Sequence, residues 1–144
     1  MRRLRGEGGA TVVEFALVVP VLLVVMIVLL DLGRTVDAYV TVSSASREGA
    51  RYASVHPTAA PAAIAAAVGA HSAPLSSPTV TASYYNGATF QPWPANGVPA
   101  SAPKPTSVPI RVQVSYPWSA VTAFLGQFMQ GRTFTTSSTM DTVR

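Results

Sequence analysis

The sequence predicts an α+β protein: a long N-terminal helix, first transmembrane and then amphipathic, packed on a small, mostly antiparallel sheet of three or four strands. Three observations carry this. Residues 10–30 read ATVVEFALVVPVLLVVMIVLL, with Glu14 as the only charge. A helical pattern continues beyond that run to about residue 55. After residue 78 come short alternating stretches separated by Asn-Gly and by prolines. At 144 residues, the chain has room for one membrane segment and one domain of roughly a hundred residues.

Composition narrows the function classes. The chain is 49% hydrophobic and only 11% charged, against ~25% charged in ordinary soluble domains. Net charge is +4, but three of the ten basic residues lie in the first five positions. The others are scattered, without interleaved aromatics, so no nucleic-acid partner is expected. There is no cysteine, which excludes disulfides and thiolate metal sites.

Residues 1–9 form a basic leader with Arg2, Arg3 and Arg5, ending in Gly8-Gly9. Residues 10–30 follow as the transmembrane helix. Its 21 residues span about 31 Å, matching a hydrocarbon core of ~30 Å. Sixteen of them are Val, Ile, Leu, Met or Phe, which contribute at most about 5–10 kcal/mol to insertion. Glu14 sits one turn inside the run and costs less than the ~2.5–3.5 kcal/mol of a central charge. Insertion therefore wins. A secretory signal is disfavoured, because its apolar core is shorter and a small-x-small site follows it closely. The arginines before the run place the N-terminus in the cytoplasm and the remainder outside, as a single-pass protein of the cytoplasmic membrane.

Residues 31–56 extend the helix out of the membrane. At about 100° per residue, Leu32, Val36, Tyr39, Ser43, Ser46 and Ala50 fall near one line, flanked by Val40 and Ala53. That line is the expected packing face. Asp31, Arg34, Asp37, Glu48 and Arg51 are expected on a solvated opposite face, pairing at a spacing of three. His56-Pro57 ends the helix.

Residues 57–144 make the α+β head. Residues 58–69 (TAAPAAIAAAVG) read as a short helix with Gly69 as its C-cap. Residues 79–85, 108–116 and 132–142 read as strands, the first ending at Asn86-Gly87, a tight-turn signal. Residues 91–107 carry five prolines and are expected as an extended loop outside the core. Residues 121–130 (VTAFLGQFMQ) suggest a further short helix.

No catalytic constellation is present. His56 and His71 lack partners at metal-ligand spacing, and neither a phosphate loop nor a Gly-x-Ser-x-Gly elbow occurs. The reading is a non-enzyme with no cofactor, no metal and no small-molecule substrate.

Glu14 is the residue that needs a role. Snorkelling to the headgroups is the plain one. The sharper one uses spacing: if the chain were cut after Gly9, Ala10 would carry a new ammonium group and Glu14 would be the fifth residue. A carboxylate in lipid needs a partner, and the terminal amine of its own or a neighbouring helix supplies one. Gly9-Ala10-Thr11-Val12-Val13-Glu14-Phe15 resembles the motif cut by prepilin peptidase. More specifically, the stretch from about Arg5 to Val55 resembles the TadE-like proteins. The shared points are the EFALV-x-P core, Asp-Leu-Gly-Arg after the membrane, and Arg-Glu-Gly-Ala-Arg-Tyr-Ala at 47–53. A weaker echo lies in Ser137-Ser138-Thr139-Met140.

The resemblance implies a pilin-like or minor-pilin component of tight-adherence (Tad, Flp) pilus assembly. Its partners would be the cytoplasmic membrane, prepilin peptidase and other pilin-like subunits. Gly9 and Ala10 would flank the cut, with Glu14 and Phe15 serving recognition and assembly. The alternative is an uncleaved, membrane-anchored binding module that uses the proline-rich loop with Tyr84, Tyr85, Trp93 and Trp118.

Overall fold

The computed structural model describes residues 7–73, 75–100, 102, 107–120, 126–127 and 131–143. Helix α1 (Glu7–Val55) is one continuous element of 49 residues that runs through Pro20, about 74 Å at 1.5 Å per residue. A short α2 (Pro61–His71) follows. Four strands then form an antiparallel sheet: β1 (Thr79–Tyr85), β2 (Phe90–Pro92), β3 (Pro109–Pro117) and β4 (Thr133–Asp141), in the order β2-β1-β3-β4. The α+β expectation holds.

The elements follow local chemistry with some shifts in boundary. Helix α2 begins at Pro61, where a missing N–H costs nothing, with extended Ala60 before it. It does not stop at Gly69 but runs on to His71 and ends at Ser72, whose N–H donates to Gly69 O. The Asn86-Gly87 signal does make a hairpin. Asn86 Oδ1 accepts from the N–H groups of Ala88 and Thr89, turning the chain from β1 into β2. The expected helix over 121–130 lies outside the described residues apart from Gly126 and Gln127, which are helical.

The proline-rich loop is a correction. Its first residues form β2, and it returns to the core: Trp93 and Val98 are buried, at 7% exposure each. Trp93 Nε1–H donates to Ala59 O at 2.9 Å, and Val98 N–H donates to Pro57 O at 2.7 Å. Gly97 makes this contact possible. It holds a φ of +80°, and a side chain there would collide with the Pro57–Thr58 backbone. Prolines stiffened the segment for docking on the α1–α2 junction instead of expelling it.

One sheet face packs on α1 and α2 through Val80 and Ala82, Ile110, Val112 and Val114, and Met140. On the opposite face β1, β3 and β4 present mostly polar residues, among them Thr81, Gln113, Thr135 and Ser137, all exposed. Among the described residues no buried side-chain nitrogen or oxygen lacks a hydrogen-bond partner.

The face that α1 offers to the sheet is a partial correction: Ser46, Ala50 and Ala53 are buried as expected, but the first half of the expected line is not. Leu32, Val36, Tyr39 and Val40 remain 54–57% exposed. The buried positions are Ala38, Val42, Ala45, Ser46, Gly49, Ala50, Ala53 and Ser54. Small side chains win because they let the helix axis approach the sheet closely. At Gly49 an added Cβ would lie 2.5 Å from Val68 Cγ2 and 3.1 Å from Val112 Cγ1. Asp31, expected in solvent, falls on this covered side and is 3% exposed.

Candidate functional site

The candidate site is α1 itself. Its first part stands clear of the head: the most apolar 18-residue window has a mean hydropathy of 3.0, and none of it is buried within the molecule. This makes it long and apolar enough to cross a membrane. Gly9, Ala10, Glu14 and Phe15 all lie on this free segment and are exposed, Phe15 by 69%. Gly9 has no atom within 4 Å of where a side chain would stand. The Gly9-Ala10 bond is therefore helical and unshielded by the head.

Glu14 stands one helical turn beyond Ala10, so the two share a face. Its carboxylate shares a shallow depression with Thr11, Phe15 and Val18. Among the described residues it has neither a hydrogen-bond nor an ion-pair partner. In hydrocarbon such a group needs one from outside the chain or from a nearby terminus. Its position relative to the head follows from the unbroken helix. Eighteen residues separate Glu14 from Leu32, which is about five full turns at 100° per residue. Glu14 is thus in line with Leu32 and Val36, on the face that the sheet leaves bare.

Where α1 leaves the apolar run, the character changes within one turn. Asp31 is buried, with Arg34 Nη1 at 4.0 Å from its Oδ1 and Thr35 donating to its carbonyl. Arg34, Asp37, Ala38, Leu75, Tyr116, Trp118 and Ser119 line a small cleft beside it. Trp118 and Tyr39 each meet Phe134 edge-on, at ring separations of 6.2 and 6.4 Å. This base joins the free helix to the head. Farther along, Glu48 and Arg51 form a two-pronged pair, with Nε–Oε2 at 2.9 Å and Nη2–Oε1 at 2.6 Å. The bond to Arg51 holds the Glu48 carboxyl below its ordinary value and raises the guanidinium.

Among the described residues, no group of three or more His, Asp or Glu residues is placed to hold a metal ion. His56 stacks on Tyr52 at 4.4 Å and its Nδ1 meets Tyr52 O, while His71 Nδ1 meets Ala67 O. The aromatics proposed for a binding surface are mostly structural. Trp93 and Trp118 are buried, and Tyr84 packs on the core. Tyr85 sits against Phe90, over which Arg111 lies at 3.8 Å.

Sequence reasoning missed the burial of Asp31 and the role of the small-residue face. The signal was present at Thr35, Ala38, Val42, Ala45, Gly49 and Ala53, which recur at spacings of three and four.

Comparison with known proteins adds one finding. The model of the TadE-like protein family matches residues 9–51, which covers the free helix and most of its packed continuation. No curated protein and no solved structure matches the chain.

Proposed function

We propose that this chain is a pilin-like component, of the minor-pilin kind, in the assembly of a tight-adherence pilus. It is anchored in the cytoplasmic membrane by residues 10–30, with its basic leader inside and its head outside. Prepilin peptidase cuts between Gly9 and Ala10. Glu14, with Phe15 beside it, then serves recognition and assembly, its carboxylate meeting the new ammonium group of its own or an adjacent helix. The protein acts through contacts and forms no covalent product. One observation carries this reading: the family match begins at Gly9 and lies on a helix whose membrane part the head leaves bare. Burial of Trp93 and Trp118 argues against an aromatic binding module as the main role.

The test is N-terminal sequencing of the protein produced beside an active prepilin peptidase. A chain starting at Ala10 is the expected result. An intact Met1, or a start near Ser46, refutes the reading. Glu14→Gln should insert and fold normally yet lose incorporation into filaments. Unchanged incorporation would leave Glu14 only a snorkelling role.

A further inference from the structure

The two edges of the sheet are treated differently. β2 closes one side with three residues ending in Pro92, which is how natural sheets blunt an edge. β4 forms the other side with nine residues, TFTTSSTMD, and has no proline, lysine or arginine. Its register shows which backbone groups are free. Trp118 N–H donates to Arg132 O, and Thr142 N–H donates to Val108 O. The hydrogen-bonded pairs between β3 and β4 are therefore the even ones, among them Val114–Thr136 and Val112–Ser138. The N–H and C=O groups of Thr133, Thr135, Ser137, Thr139 and Asp141 point away from the sheet. All five residues are exposed, and no described backbone group outside the sheet meets them.

We propose that this edge receives an extended strand of a different protein, added to the sheet by backbone pairing. A row of alternating donors and acceptors is complementary to another backbone and to little else, and side-chain alternation then supplies specificity. The incoming strand meets Phe134 and Met140 at the two ends of its helix-facing side, with Thr136 and Ser138 between them, all half-buried. On its outer side it meets the hydroxyls of Thr135, Ser137 and Thr139. It therefore alternates apolar and polar residues.

A second copy fits poorly. β4 runs in the direction of α1: Tyr39 meets Phe134, Thr136 Oγ1 donates to Val42 O, and Val143 N–H donates to Ser54 O. Copies anchored in one membrane share that direction, so two β4 strands cannot pair antiparallel. The strand such a copy could present antiparallel to β4 is β2, only three residues long.

The test is amide hydrogen exchange across residues 133–141 of the full chain. It compares protein purified in lipid bilayers with protein in membranes of cells that make its natural neighbours. In the purified chain, Thr135, Ser137 and Thr139 exchange fast, while Thr136 and Ser138 are protected by β3. In native membranes the three odd amides slow by about tenfold or more. Ser137→Pro removes an outward N–H but no bond to β3, so it keeps the even protection and fails to gain the odd. Thr135→Lys with Thr139→Lys, which retains every N–H, loses the gain in the same way. The proposal is overturned by odd amides already protected in the purified chain, by no slowing in native membranes, or by variants that slow like the parent. Slowing reproduced by concentrating the purified chain alone would assign the edge to a second copy and overturn it equally. Exchange at β4 is read independently of cleavage at Gly9, so this inference and the pilin reading fail separately.

Discussion

Gly49 offers the sharpest test of how α1 is held. It lies where α1, α2 and β3 converge, and an added methyl would stand 2.5 Å from Val68 Cγ2 and 3.1 Å from Val112 Cγ1. Gly49→Ala sets two effects against each other. Helix propensity favours alanine by about 0.8–1.0 kcal/mol. Overpacking a filled core costs about 1–3 kcal/mol. Val68 and Val112 are both fully buried, and a β-branched side chain in a helix has one strongly preferred rotamer, so Val68 cannot swing aside. The clash prevails by roughly 1 kcal/mol, which lowers the melting temperature by about 4–8 °C in a domain of this size.

Gly33 lies on the same helix with nothing within 4 Å of its would-be side chain. Gly33→Ala should therefore leave the melting temperature unchanged or raise it, giving the same substitution opposite signs within one helix. A double-mutant cycle isolates the contact. Val68→Ala alone should cost about 2–3 kcal/mol for two lost carbons and the space they leave. Combined with Gly49→Ala, the total should fall short of the sum by about 1–2 kcal/mol, because each change relieves the other. Thermal unfolding of the full chain in detergent reads all four proteins. Strict additivity, or a Gly49→Ala variant more stable than its parent, would refute the close-approach argument.

Three further substitutions probe the loop docking and the Glu48–Arg51 pair on α1. Trp93→Phe removes the 2.9 Å donor to Ala59 O and should cost about 1–2 kcal/mol, whereas Trp93→Ala should cost about 3–5, both measured by urea unfolding. The Glu48–Arg51 pair makes stability depend on pH: because the folded carboxyl lies below its unfolded value, the contribution is complete above the unfolded value and disappears as pH falls through the folded one. The melting temperature of the parent should then drop more steeply than that of Glu48→Gln through the acid range, and parallel curves would remove the pair from the account.

Much of the architecture was legible because it rests on period and punctuation. The apolar run, the helix stop before Pro57, and the alternation at 79–85 and 108–116 need no tertiary information. What failed was the choice of face over the first half of the extension, since Ser46, Ala50 and Ala53 pack as expected. Leu32, Val36 and Tyr39 make the more hydrophobic line on α1, and hydrophobicity alone assigns that line to the core. The sheet instead takes Ala38, Val42, Ala45 and Gly49, because distance of approach decides packing against a flat surface. The proline-rich loop failed for a related reason. Composition places it in solvent, but Trp93 and Val98 have a seat on the α1–α2 junction that becomes visible only after α2 is placed. At the candidate site, spacing put Gly9, Ala10 and Glu14 forward and the structure leaves them exposed on the free part of α1, whereas the burial of Asp31 depends on the head folding down beside it.

The choice of face also carries the functional argument. If the bulky residues had packed the sheet, α1 would leave the head with a small, featureless outer side. Instead the apolar surface of the free segment continues past the apolar run through Leu32, Val36, Tyr39 and Val40, all exposed. The helix is unbroken across Leu30–Asp31, and Asp31 is buried against the head. The direction in which Glu14 points is therefore set by where the sheet sits, five turns away. A neighbour that satisfies the Glu14 carboxylate approaches from the bare side and meets Leu32 and Val36 on the same line. If Glu14 serves assembly as proposed, a polar substitution at the exposed Val36 should weaken the same association as Glu14→Gln without disturbing the core.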